Sequence, residues 1–278
     1  MTSAAPAVSP PASADARSLL EGASAFFRHA FAVAIVDLQK LRRDPTEMFT
    51  RAVQPLLWLL IFGQVFSRTR AIPTGSLSYV SFMAPGVLAQ SVLFAAIFYG
   101  IAVIWERDLG IVHKLLVAPA SRAALVSGKA IAAGVRGWVQ AIIVFVIALM
   151  IGVPVRLHPL PILGMGAAIF LGSALFATFS LTVACIVKTR ERFMGVGQLL
   201  TMPLFFASNA IYPLSMMPRW LGSIAHANPL TYLVDALRTF MVVGATSTTG
   251  IPMDFAALAA GTVVLVLIAA SLYPGLAR

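Results

Sequence analysis

One cysteine, four histidines and ten carboxylates in 278 residues leave few groups for metal or covalent chemistry. Cys185 has no second cysteine to meet, which excludes an intrachain disulfide or a cysteine cluster. His29, His113, His158 and His226 are scattered over predicted loops and interfacial helices, a distribution that argues against a shared metal site. The chain has no Gly-x-x-x-x-Gly-Lys-Ser/Thr loop for nucleotide phosphates and no His-Glu-x-x-His pair. Charged residues make up only 11%, against roughly 25% in soluble globular chains. That is too few to cover an ordinary water-exposed surface. The first twenty residues, rich in Ala, Pro and Ser, lack a cationic start followed by an apolar run. They are expected to be a disordered cytoplasmic tail, residues 1–22, rather than a secretory signal.

What the chain has in quantity is apolar surface: 59% of residues are hydrophobic and the mean hydropathy is +0.91. A helix needs about 20 apolar residues to cross a bilayer, and backbone groups in hydrocarbon must pair within the segment. The apolar blocks run without period-two alternation, so helices are favoured over transmembrane strands. Six spans are predicted near 50–67, 79–104, 130–153, 161–187, 193–212 and 253–274. They are read as free of carboxylates, which argues against a proton-coupled carrier and puts the energy source outside the chain.

The net charge of +10 is spread beside the spans, not gathered in one tract, so membrane orientation explains it better than nucleic acid does. Arg17, Arg28, Lys40, Arg42, Arg43 and Arg51 precede the first span. Arg107, Lys114, Arg122 and Lys129, then Lys188, Arg190 and Arg192, then Arg278 fall on the same side. The other side has Arg68, Arg70, Arg156, Arg219 and Arg238, so both termini are expected in the cytoplasm. Arg136, six residues into the third span, either snorkels to the interface or serves a path or subunit contact. Before the first span, Phe26, Phe27, Ala30, Phe31, Ala34, Ile35, Leu38 and Leu41 recur at helical spacing, as in a helix lying along the inner membrane surface.

Two connections between spans stand out. In the inner one, Leu109, Val112, Leu115 and Leu116 form an apolar stripe among Glu106, Arg107, Asp108, His113 and Lys114, and Pro119 ends the helix. Such a helix either rests on the lipid interface or docks into a cytoplasmic partner. The outer connection, residues 213–252, is too long and apolar for a free loop. Asn228 and Pro229 suit an N-cap and a first helical position. Leu230, Leu233, Val234, Leu237, Phe240 and Met241 then line one face, with Asp235 and Arg238 able to pair on the other. From spacing alone, an interfacial brace and a gate explain this helix equally well.

At these two connections the chain resembles the ABC type-2 transporter permeases, particularly the daunorubicin-resistance and nodulation-export branch. The inner likeness runs through Glu106, Arg107, Gly110, Leu115, Leu116, Pro119 and Arg122. The outer one runs through Tyr212, Pro213, Leu214, Ser215, Pro218, Trp220 and Leu221, then Asn228, Pro229, Leu230, Thr231, Tyr232, Asp235, Ala236 and Arg238. Asn209 stands where small residues are common in the family, and His113 where acidic or polar ones are frequent.

The resemblance implies an all-α integral membrane protein. It would have six transmembrane helices, an N-terminal interfacial amphipathic helix, a cytoplasmic coupling helix and outer re-entrant helices, in one permease domain over 23–278. It implies a plasma-membrane exporter subunit that is not itself an enzyme and that holds no cofactor. ATP and Mg would be bound by two copies of a separate ATPase subunit, and a second permease, identical or homologous, would complete the path. The segment Glu106 to Arg122 would be the coupling helix meeting the ATPase. Phe205, Phe206, Asn209, Tyr212, Pro213, Asn228, Pro229, Tyr232, Asp235 and Arg238 would belong to the outer gate. A hydrophobic or amphiphilic cargo fits spans rich in Phe, Leu and Met. A permease for lipid-linked polysaccharide or glycolipid is the nearest alternative, and a non-transporting scaffold or membrane enzyme the more distant one.

Overall fold

The computed structural model describes residues 12–43, 53–55, 57–69, 72–117, 120–187 and 189–277. Among these it is helical, with one isolated bridge between Val155 and Val242 in place of any sheet. Helix α1 is Ala12–Arg43, so it begins inside the stretch expected as a tail. A π-helical turn, Trp58–Phe62, leads into α2, Gly63–Thr69. Then come α3 (Tyr79–Asp108), α4 (Ile111–Val117), α5 (Arg122–Met150), α6 (Pro159–Val187) and α7 (Arg190–Phe206). After a 3₁₀ turn at Leu214–Met216 follow α8 (Arg219–Ala227), α9 (Pro229–Met241) and α10 (Ile251–Leu272), which runs on into a last 3₁₀ turn, Tyr273–Ala277.

Four of these helices, α3, α5, α6 and α10, are long and apolar enough to cross a membrane. The chain is a multi-pass membrane protein. The first of the six expected spans falls partly on residues 50–52 and 56, which lie outside the described residues. The fifth, expected over 193–212, is the 17-residue helix α7, which stops at Phe206. It stops because its last carbonyls are taken: Ser208 donates its hydroxyl to the Phe205 carbonyl at 2.7 Å, and Asn228 donates to those of Leu204 and Ala207 at 2.7 and 2.8 Å.

Helix α6 is the hub, packed against α3, α5, α9 and α10. Its inward side carries Ser173, Ala174, Ala177, Ser180 and Ala184, small residues that let apolar helices approach where lipid offers no hydrophobic drive. Ser180 adds polar glue, donating to the Ile97 carbonyl of α3 at 2.5 Å and accepting from the Gly100 amide at 3.0 Å. Helix α10 is the outlier: Val263, Val264, Leu267 and Ile268 stay exposed, as suits a helix with lipid on most sides. Helix α1 lies along α5, with Ala30 and Ala34 buried while Phe27, Phe31 and Ile35 face outward. The expected apolar stripe is therefore split, its small members toward the protein and its large ones away from it.

Candidate functional site

At the basic end, α3 is stopped by Gly110 at φ +73°, a left-handed conformation that favours glycine and turns the chain abruptly into α4. The residues expected on one coupling surface are divided by that turn. Glu106, in the last turn of α3, is buried and pairs with Lys129 of α5 at 2.6 Å. It faces the bundle, not a partner, because Lys129 is itself 2% exposed and takes the carboxylate inward. Asp37 of α1 sits 3.6 Å from the same ammonium, accepts from the Tyr99 hydroxyl, and offers its backbone carbonyl to Arg136 at 2.8 Å. Of the two readings of Arg136, the structure gives a third: it pins α1 to α5 and faces the Tyr99 ring at 5.5 Å.

Arg107 and Asp108 pair at 2.6 Å, and Asp108 also accepts from Arg190 of α7 at 2.5 Å, whose guanidinium lies 3.5 Å from the centre of the Trp105 ring. In α4, Val112 is fully buried and Leu115 and Leu116 pack inward, so most of the apolar stripe meets the protein itself. Leu109, His113, Lys114 and Val117 point outward, with Leu109 68% and Val117 86% exposed. Arg122 is exposed at the start of α5, where Ser121 caps the helix by accepting from the Ala124 amide. Pro119 lies outside the described residues.

The opposite end is built around α9. Asn228 is its N-cap, accepting from the Leu230 amide at 3.0 Å, and Pro229 takes the first turn. Leu230, Leu233, Val234, Leu237 and Met241 are buried as their spacing requires. The other face is buried too, with Asp235 fully enclosed and Arg238 5% exposed. The expected Asp235–Arg238 pairing gives way to separate partners. Asp235 accepts from Ser247 (2.6 Å), from the Thr248 hydroxyl and amide (2.7 and 2.9 Å), and from the Thr249 hydroxyl and amide (3.0 and 3.1 Å). Burial pushes its carboxyl up, but these hydrogen bonds together outweigh it and hold the group below the usual carboxylate range.

Arg238 instead donates to the Asn209 carbonyl at 2.7 Å and the Phe82 carbonyl at 3.4 Å. The tail of α9 is closed by Arg156, which donates to the carbonyls of Val242 and Ala245 at 3.1 and 3.2 Å, a cation at a helix C-terminus. A carboxylate-free set of spans is corrected by Asp254, fully buried in the first turn of α10 and bonded to Thr249. It is tolerated there because it sits at a helix N-terminus, among hydroxyls. Its isolation near a span boundary is the signal that marks it.

Of the remaining residues expected at an outer gate, Tyr232 donates to the His226 carbonyl at 2.7 Å and Tyr212 donates to that of Phe206. Pro213 is half-buried just before the 3₁₀ turn. Phe205 is buried and Phe206 exposed, both edge-on to Trp58 at 6.1 and 6.3 Å. Gly86 of α3 faces the backbone of Ala210, where an added Cβ would come within 2.8 Å of its Cα. Only glycine permits that approach, which sets Asn209 against α3.

The fold is that of a multi-pass membrane protein, a helical bundle with a short helix at one end and a helical hairpin folded into the other. The chain belongs to the ABC-2 type transporter family, whose sequence pattern it matches over residues 29–242. It is 31% identical over 202 residues to a ycf38 protein of Cyanophora paradoxa named as a transport permease, covering 72% of this chain and 69% of that one. It is 25% identical over 205 residues to the daunorubicin resistance ABC transporter permease DrrB1 of Streptomyces coeruleorubidus, covering 73% and 71%. The inner membrane transport permease YadH of Escherichia coli K12 is 26% identical over 188 residues, covering 66% and 70%.

Proposed function

We propose that the chain is the membrane subunit of an ATP-binding cassette exporter that moves a hydrophobic or amphiphilic solute, a drug, antibiotic or lipid, out across the plasma membrane. Both termini are cytoplasmic in this reading. ATP and Mg are held by two copies of a separate ATPase subunit, and a second permease, identical or homologous, completes the path. The observation that carries the reading is α4: a seven-residue helix between two spans, braced from behind by Val112 and presenting His113, Lys114 and Val117 outward, with exposed Leu109 at the turn just before it. Closure of the ATPase dimer moves α4. Because Glu106 at the end of α3 is locked to α5 through Lys129, the displacement passes to several spans together. The name of the Streptomyces coeruleorubidus relative supports a drug-type cargo.

The test is ATP-driven efflux of a hydrophobic dye from vesicles containing the permease and its ATP-binding subunit. Leu109→Asp with Val117→Asp, both at exposed positions, is expected to cut coupled efflux at least tenfold while leaving thermal stability unchanged. Undiminished coupled efflux would remove the role of α4, and failure of the wild type to associate with any ATP-binding subunit would remove the exporter reading. One observation favours export of a lipid-linked polysaccharide. Trp58, Phe62 and Phe66 form a partly exposed aromatic row with successive ring separations of 4.4 and 6.1 Å, ending on buried Tyr79 at 5.4 Å, and such rings offer flat apolar faces against which a sugar can stack. Competition between a lipid-linked oligosaccharide and the dye separates the two.

A further inference from the structure

At the end of the bundle opposite α4, segments 73–77, 209–214 and 244–248 surround a cavity of about 280 Å³. Its rim is exposed and hydroxyl-bearing, with Ser76, Thr246 and Thr248. Its floor is Phe82, Asn209 and Arg238, exposed by only 6%, 2% and 5%. The Arg238 guanidinium stacks on the Phe82 ring at 3.9 Å. Its two hydrogen bonds go to backbone carbonyls, which are neutral, and they use two of the five N–H donors a guanidinium has. Among the described residues no ion pair includes Arg238. Asp235, three residues earlier, is committed to Ser247, Thr248 and Thr249. Burial lowers the Arg238 pKa to about 10 against the opposing pull of Asp235, which leaves the group cationic at neutral pH.

Asn209 supplies an independent observation. Both atoms of its side-chain amide are buried without a hydrogen-bond partner among the described residues. A buried polar atom left unpaired loses its hydration and gains nothing in return. A leucine would fill the same space without that cost, so an amide beside a guanidinium that has no ion pair among the described residues points to a ligand that pairs with both. Arginine's planar fork matches carboxylate and phosphate oxygens. The cavity lies at the lower edge of the roughly 300–1,000 Å³ range of pockets that enclose whole drug-sized ligands. It suits a headgroup whose apolar remainder stays outside.

We infer that this cavity binds a small oxyanion group, phosphate or carboxylate in type, with Arg238 as its counter-charge and Asn209 as its hydrogen-bonding partner. The inference deepens the exporter reading, on which it rests only for placing the cavity on the outer face: there the site would receive the anionic head of an amphiphile, from cargo or from lipid.

The experiment is a thermal-shift titration of the purified full chain in detergent with dihexanoyl phosphatidylglycerol and, separately, dihexanoyl phosphatidylcholine. Inorganic phosphate at matched ionic strength forms a third arm. Phosphatidylglycerol is expected to raise Tm saturably and phosphatidylcholine not to. Asn209→Leu is the deciding variant, because it removes the unpaired amide at nearly constant volume and is expected to fold while binding at least tenfold more weakly. Arg238→Gln is expected to bind as weakly, but it also takes the donor from two carbonyls. An equal saturable shift with inorganic phosphate supports the same site with a free oxyanion as its ligand. Equal shifts with the two lipids, or wild-type affinity in Asn209→Leu, overturn the proposal. No arm contains ATP or a partner subunit, so a failed titration leaves the exporter reading intact and a failed efflux assay leaves this site intact.

Discussion

At the basic end, the Lys129 ammonium lies between the Asp37 and Glu106 carboxylates, charges of opposite sign brought face to face from three helices. At the other end, Asp235 and Arg238 lie within one turn of the same helix, yet each is met by neutral dipoles, hydroxyls and amides for the first and carbonyls for the second. The first arrangement uses its charge to fasten α1, α3 and α5 together at one point. The second fastens loops while leaving the field of each charge available to something else. The proposed roles would use that distinction: transmitting force needs a stiff joint, and holding a ligand needs charge that has not been consumed.

The largest expected effect breaks the stiff joint. Lys129→Ala leaves two buried carboxylates without their cation and is expected to cost about 3–5 kcal/mol in reversible unfolding of the full chain. Converting the cluster together, Lys129→Met with Glu106→Gln and Asp37→Asn, is expected to recover most of that. Wild-type stability in the single variant would show that the cluster does not fasten these helices.

Next comes Asp235→Asn, which weakens the acceptor for the 247–249 segment and is expected to cost about 1–3 kcal/mol. The native carboxyl is held below its usual range, so its contribution is complete above that range and fades as pH falls through the lowered value. The Asn variant should therefore show a shallower loss of Tm on acidification, and identical acid profiles would contradict this.

Asn228→Ala removes a helix cap, for about 0.5–2 kcal/mol. It should also speed hydrogen exchange at the Leu230 amide. Smallest is Arg190→Ala: its bond to Asp108 joins side chains about a third exposed, so less than about 1 kcal/mol is expected, shrinking further at high salt.

Much of the frame was legible because hydrophobic length is a local property. The spans read at 79–104, 161–187 and 253–274 fall within a few residues of the ends of α3, α6 and α10. The Asn228–Pro229 start of α9 follows from cap chemistry that two adjacent residues carry. The charge clusters were illegible for the opposite reason. Glu106 and Lys129 are 23 residues apart, and Asp37 and Tyr99 are 62 apart, with no periodicity to connect them. Hydrophobicity alone starts the third span at residue 130 and leaves Lys129 in the loop, whereas Ser121 caps α5 nine residues earlier and carries the lysine into the bundle. The likeness at Glu106 similarly identified a residue of the motif without revealing that it turns inward.

The Asn228 side chain, which closes the last carbonyls of α7 from 21 and 24 residues downstream, has a consequence for biosynthesis. When α7 emerges from the ribosome those carbonyls have no protein partner, and hydrocarbon offers them no water. The segment becomes complete only once α8 and the start of α9 have followed it into place. α7, α8 and α9 are therefore expected to insert as one unit, and a chain truncated between Phe206 and Asn228 should stall as a substrate for membrane quality control, not as a shorter permease.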